Sequence, residues 1–292
     1  GRIKEDDAAV PWREGDYEYR WGYAAGAEYR HWSRRLVGRQ DWTLLLDEVA
    51  EAGDKDFFRL GGLSISNDGT RMVWSCDDNG SERFTLRVRD LMTGQTLADE
   101  IPEASPDAYW DATDSGFMYA LVSAEWRPFQ VKYHRLGTPV DEDPLVYEET
   151  DTSFFLGVSL SASREWFILR SGDHVTADIR IVPAAAPATP VQLIAERIIG
   201  RDVDVDHGQD QFFFRVNDTH RDFRITSAPT ATPHEDHWRE IKPGGEGHYW
   251  RGMHVFKDFV VLEDRIDGLD QLLIIHGSTE HYVTLPEAAY AI

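Results

Sequence analysis

A turn signal set between two apolar runs recurs along this chain at Gly69, Ser115, Arg164, Asp210 and Lys257. The spacings are 46, 49, 46 and 47 residues. Self-similarity at such a period marks an array of supersecondary units, and units of four short strands suit an all-β propeller. The third strand of each unit shows the repeat best. Phe84, Phe129, Ala177, Phe223 and Asp270 share one equivalent position, and Leu86, Val131, Ile179, Ile225 and Leu272 follow two residues later. Alternation with period two marks a buried sheet face. The second strands, at 71–75, 116–121, 165–170, 211–216 and 259–263, are apolar almost throughout, as strands buried on both faces should be.

Before residue 59 the pattern loosens. Residues 17–23, 28–35 and 42–46 read as three strands of one more unit, with a short helical turn within 46–55. The reading is therefore one domain over 1–292 with six units: an irregular one at 10–58 and regular ones at about 59–102, 103–150, 151–198, 199–244 and 245–292.

A formal net charge of −22 argues against nucleic acid and against an anionic membrane surface as partners. It suits basic peptides or a basic partner domain, although solubility alone also explains it. Cys76 is the single cysteine, so no intrachain disulfide forms, which fits a reducing compartment. Residues 1–7 show no apolar signal region, and no run reaches the roughly 18 apolar residues of a membrane span. A cytoplasmic protein is expected.

The chemistry-bearing patterns are few. There is no Gly-x-Ser-x-Gly elbow, no phosphate-binding loop and no paired-cysteine metal site. His234 and His237 stand in a Pro-rich loop without a nearby third ligand. No catalytic residue, cofactor or metal is expected. Asp202, Asp204 and Asp206 alternate along a first strand, so all three carboxylates share one face. Lining a channel, such a stripe attracts cationic peptides; alternatively it is solvated or paired with arginines such as Arg201 or Arg215. The loops joining second to third strands, at 77–83, 124–128, 173–176, 217–221 and 265–269, project from one rim by propeller geometry. They hold Glu82, Arg83, Trp126, Arg127, His174 and Thr176. These residues read either as a docking face, with Trp126 and Arg127 as anchors, or as ordinary turn chemistry.

Several stretches resemble the propeller of the oligopeptidase B (protease II) branch of the prolyl oligopeptidase family. The opening Gly1-Arg2-Ile3-Lys4-Glu5-Asp6-Asp7 is one, and Phe57-Phe58-Arg59-Leu60-Gly61-Gly62 is another. So are Asn79-Gly80-Ser81-Glu82-Arg83-Phe84, Trp126-Arg127-Pro128-Phe129 and His134-Arg135-Leu136-Gly137-Thr138. Leu145-Val146-Tyr147-Glu148-Glu149, His174-Val175-Thr176 and Val205-Asp206-His207 continue the likeness, which runs on to Pro286 and Tyr290. The resemblance implies a cytosolic serine peptidase. In it an α/β-hydrolase domain with a Ser-Asp-His triad cleaves short peptides after Lys or Arg, and a seven-bladed propeller caps that domain. It implies that the catalytic domain of the same polypeptide and short basic peptides are the partners. The seventh blade and the catalytic residues match no position here. A free-standing interaction scaffold is the competing reading, and a reading frame continuing into a Gly-x-Ser-x-Gly separates the two. With six of seven blades, a gap is expected to expose apolar faces near 17–32 and 255–275 and to drive self-association.

Overall fold

The structure is a computed structural model in which residues 7–285 are described. The opening residues 1–6 and Pro286 and Tyr290, which carry part of the family likeness, lie outside them. Six antiparallel four-stranded blades follow one another, each strand pairing with the next in sequence. Blade 1 is Trp12–Glu14, Tyr17–Tyr23, Arg30–Leu36 and Thr43–Asp47, closed by the helical turn Glu48–Ala52. Its innermost strand is one that sequence periodicity does not reveal. Blade 2 starts with Arg59–Ile65, Arg71–Asp77 and Phe84–Asp90. The next strand, Thr96–Trp110, is the outer strand of blade 2 and then the inner strand of blade 3. Ala104 is the pivot, facing Phe84 on one side and Leu121 on the other. The change of blade expected near 102–103 therefore falls inside one continuous strand. Blade 3 continues with Gly116–Val122, Pro128–Arg135 and Leu145–Glu148. Blade 4 is Phe155–Leu160, Trp166–Gly172, Ala177–Pro183 and Gln192–Ala195. Blade 5 is Val203–Gly208, Gln211–Val216, Arg224–Pro229 and Arg239–Lys242. Blade 6 is Tyr249–Val255, Val260–Ile266, Leu269–His276 and Thr279–Tyr282.

The core is a row of five apolar seams, one between each pair of successive blades. The second strands supply both sides of it. Met72 and Trp74 pack toward blade 1 while Val73 packs toward blade 3. Phe117 and Tyr119 face blade 2 while Met118 and Ala120 face blade 4. This is why these strands lack the polar alternation of a half-exposed sheet.

Among the described residues, no hydrogen bond or ion pair joins blade 1 to blade 6. The faces bordering that gap mix apolar and charged side chains. Tyr17, Tyr19 and Trp32 turn inward onto blade 2. On the opposite face of blade 1, Glu18 lies across from Arg35 and pairs with it at 2.6 Å. Trp42 is sandwiched between Arg20 and Arg35, at 4.1 and 4.5 Å from its ring centre. In blade 6, Val255, Val260 and Leu262 pack on blade 5. Its other face alternates Val261, Leu272 and Ile274 with Glu263, Arg265 and Asp270. Arg265 and Arg251 both pair with Asp270 there, and His254 pairs with Glu263. The period-two register turns one side-chain row of each strand onto the neighbouring blade and the other to the gap, where charges stand among Trp42, Val261, Leu272 and Ile274.

Candidate domain-docking rim

Antiparallel order puts the second-to-third loops and the blade-to-blade connections on one rim, here called the upper rim. The first-to-second loops sit on the lower rim. The chain enters blade 1 on the upper rim, where Ala8 bridges to Gly22 and the Tyr23 N–H donates to the Asp7 carbonyl. It leaves blade 6 on the same rim, the Val283 N–H donating to the Leu272 carbonyl near the start of its strand.

The loops of blades 2 and 3 form the most ordered part of this rim. Asp77, at 1% exposure, folds the loop after it. Its Oδ1 accepts from the Asn79 and Gly80 N–H groups at 3.1 and 2.9 Å, and its Oδ2 accepts from Glu82 at 2.8 Å. Burial alone raises a carboxyl's pKa, but these backbone donors outweigh it and hold Asp77 below its ordinary value. Glu82 adopts φ +60 and stays exposed, 4.0 Å from Arg59. Arg83 then crosses to blade 3. Its Nη2 donates to the carbonyls of Ser123 and Ala124 at 2.9 and 2.8 Å, and its Nη1 pairs with Glu103. Its guanidinium lies 5.4 Å from the Trp126 ring centre. Trp126, at φ +59, donates its Nε1–H to the Ser81 carbonyl at 2.7 Å yet remains 57% exposed. Its backbone sits in the left-handed region and its Nε1 is held, while much of the ring stays open to solvent. Phe57, Phe155, Val175, Ile198 and Ile199 add exposed apolar surface on the same rim, Ile199 at 82%.

The other rim residues divide. His174 is exposed at a loop tip. Thr176 is buried, and its Oγ1 accepts from the Gly200 N–H at 3.0 Å, so it pins the next connection instead of presenting a surface. Arg127 spends its Nη1 on the carbonyls of Glu149, Asp151 and Phe154, at 3.1, 3.3 and 3.0 Å. It closes the turn between blades 3 and 4, and only Trp126 is left free to anchor a partner. Arg83→Ala removes the guanidinium that donates to two carbonyls and the support under Trp126. It is expected to cost about 1–2 kcal/mol in urea unfolding and to speed amide exchange at 123–127.

In the acidic stripe, the pairing with arginines is what the structure shows for two carboxylates. Asp202 accepts from Arg170 at 2.7 Å, and Asp204 pairs with Arg215 at 2.6 Å. Asp206 accepts from the Ala162 and His207 N–H groups, and burial raises its pKa. Arginines on the adjoining second strands thus neutralise two of the three charges, and little field is left for a ligand. Arg201 goes elsewhere, to Glu235 at 2.8 Å. That contact bears on His234, which does have neighbouring carboxylates, Glu196 and Glu235, within 4.8 Å. The buried Arg201 guanidinium already supplies a cation there, so the cluster is a poor fit for a metal.

One pair the sequence did not reveal is Ser163 Oγ and His207 Nδ1, 2.8 Å apart on the lower rim. Burial lowers the pKa of His207, and its Nε2 meets the Thr230 hydroxyl at 2.7 Å, not a carboxylate. The Ser163 N–H donates to the His207 carbonyl at 3.1 Å. The pair braces a turn and lacks the parts of a triad.

Residues 1–292 match the family described as prolyl oligopeptidase, N-terminal β-propeller domain. Dipeptidyl aminopeptidase BI of Pseudoxanthomonas mexicana is 30% identical over 316 residues, covering 100% of this chain and 43% of that protein. Protease 2 of Moraxella lacunata is 26% identical over 301 residues, with 100% and 43% coverage. The chain thus spans under half the length of these relatives. Oligopeptidase B from Leishmania major superposes with a TM-score of 0.92 at 20% identity, over 98% of this chain and 42% of that one. The chain belongs to the prolyl oligopeptidase family, as its N-terminal β-propeller domain.

Proposed function

We propose that this propeller is the access-restricting part of a cytoplasmic serine peptidase. An α/β-hydrolase domain of the same polypeptide docks on the upper rim, and the assembly admits short peptides and cleaves them after Lys or Arg. One observation carries the reading. Both ends of the described chain leave on the rim that also presents Trp126, Phe155 and Ile199. A domain joined to either end is therefore delivered to the face best suited to bind it. The excess of negative charge favours basic peptides in the approach region.

The test uses fluorogenic dipeptides ending in Arg or Lys, with blocked and with free amino termini. A protein carrying the hydrolase domain is expected to turn over the blocked substrates, and residues 1–292 alone none. Turnover by the pure chain that vanishes on Ser163→Ala overturns the reading. A second reading comes from the dipeptidyl aminopeptidase relative: release of dipeptides from free amino termini. Exclusive turnover of unblocked substrates selects it.

A further inference from the structure

The lower half of the bore holds a cavity of about 410 Å³ where blades 1 to 4 converge. Its walls include Leu63, Ser64, Asp107, Tyr109 and Leu160, and its size suits a small ligand. Gly62 stands against Asp107, and a Cβ on it would come within 2.6 Å of Asp107 Oδ1, so the glycine keeps the space in front of the carboxylate clear.

Asp107 differs from its neighbours. The carboxylates of Asp202, Asp204 and Asp206 have arginine or backbone partners. Asp107 reaches the bore and has no hydrogen-bond or ion-pair partner among the described residues. Protein packed around it raises its pKa, and burial together with the Asp107 charge pushes Tyr109 up to about 12. Arg164, which also lines the cavity, is committed elsewhere. It crosses the lower mouth from blade 4, donating from Nε to Asn67 Oδ1 at 2.9 Å and approaching Glu14 at 3.4 Å. Asn67 is fixed in that orientation because its Nδ2 donates to Asp114 Oδ1 and the Asp111 carbonyl, at 2.7 and 2.8 Å. Arg164 therefore roofs the cavity and leaves the carboxylate below it without a counter-charge.

Asp107 is open to the bore, so water solvates it in the free protein. A carboxylate that lines a cavity and has no protein counter-charge is placed to pair with a cation that a ligand brings in. Leu63 and Leu160 offer an apolar wall on the way to it, which matches a side chain with an aliphatic stem and a charged tip. We propose that this cavity binds a basic side chain of a peptide, its stem lying along Leu63 and Leu160 and its cationic tip pairing with Asp107. The site recognises charge away from any scissile bond. It extends the proposed preference for basic peptides, but it is read out by binding and not by turnover, so its failure and that of the peptidase reading are separable.

The probes are acetyl-arginine amide, acetyl-lysine amide and the neutral isostere acetyl-citrulline amide, titrated by NMR or calorimetry. Saturable binding of one or both cationic probes, with citrulline at least tenfold weaker, is expected. Asp107→Asn should weaken the cationic probes at least tenfold with unfolding stability unchanged or raised, whereas Glu14→Gln should change affinity less than threefold. Equal binding of the citrulline and arginine probes to the wild-type protein overturns the proposal and needs no variant. So does undiminished binding by Asp107→Asn, or the absence of saturable binding of either cation. Asp107→Ser serves if the asparagine variant folds poorly.

Discussion

Replacing His134 by leucine is expected to destabilise the protein by about 3–5 kcal/mol, the cost of stripping a buried charge of its partner. His134 is fully buried between two carboxylates, its Nε2 3.0 Å from Asp99 and its Nδ1 2.9 Å from Asp143. Tyr119 donates to Asp143 at 2.8 Å, and the Gly137 N–H donates to Asp99 at 2.5 Å. With both ring nitrogens facing carboxylates, the imidazolium is the form that fits. Burial pulls its pKa down, but the bonds and charges of Asp143 and Asp99 prevail and raise it above 6.5. Because the folded value is the higher one, protonation supports folding. That contribution is complete below the ordinary value and is lost as pH rises through the raised one. The urea midpoint of the wild type should therefore fall as pH climbs from 6.5. The gap between wild type and His134→Leu should be widest near pH 6 and narrow toward alkaline pH. A gap that is constant with pH means that His134 is neutral in the native state.

Arg197→Met is expected to cost about 3 kcal/mol, toward the lower end for such pairs because the guanidinium keeps 24% exposure. It leaves two nearly buried carboxylates, Glu149 of the blade 3–4 connection and Asp178 of blade 4, short of their shared partner. It also removes the 2.9 Å bond to Ser171 Oγ and the stacking on Phe154 at 4.0 Å. Burial raises the pKa of Glu149, but Arg197, Ser171 and the Asp151 N–H together lower it below its ordinary value. A depressed carboxylate stabilises the fold above its unfolded pKa, and this is lost as pH falls through the folded one. The variant should therefore lose much of the wild type's acid-dependent destabilisation below pH 4.5. Urea titrations at pH 7 and pH 3.5 measure it.

The strands were legible wherever burial on both faces or strict alternation wrote itself into the sequence. Phe117 to Ala120 is such a place, where successive side chains serve opposite seams. Trp12–Glu14 was not legible because all three of its residues are exposed and it has no apolar rhythm. Thr96–Trp110 was obscured by Pro102 and Pro106, which read as breakers. They are accommodated because pairing shifts register between Ala104 and Ala108, beside Glu103 at φ +58. On the rim, turn chemistry pointed to Arg83 and Trp126, but the closing of Arg127 onto three carbonyls is a tertiary event. Charge pairing was the least legible part. Arg170 reaches Asp202 from 32 residues away, and no local pattern sets it apart from Arg201. Asp107 shows the converse: nothing beside it in sequence announces that it will find no partner.

The strand shared by blades 2 and 3 also decides where the ring can flex. At the other seams neighbouring blades meet mainly through side chains, with isolated main-chain bonds such as Ala112 N–H to the Ala184 carbonyl, Ser163 N–H to the His207 carbonyl and Trp250 N–H to the Asp222 carbonyl. At Ala104 the two blades are sewn together by main-chain hydrogen bonds on both sides of one strand. Those two blades must tilt as one stiff plate, and any widening of the bore is passed to the seams on either side of it and to the open edge between blades 1 and 6. The molecule then behaves less like a ring of six equal segments than like a bracelet with one double-length link. The lower-mouth bridge from Arg164 runs from blade 4, beyond that link, to Asn67 of blade 2 within it and to Glu14 of blade 1 before it. It acts as a clasp, and the plate is the lever on which a load at the bore would pull.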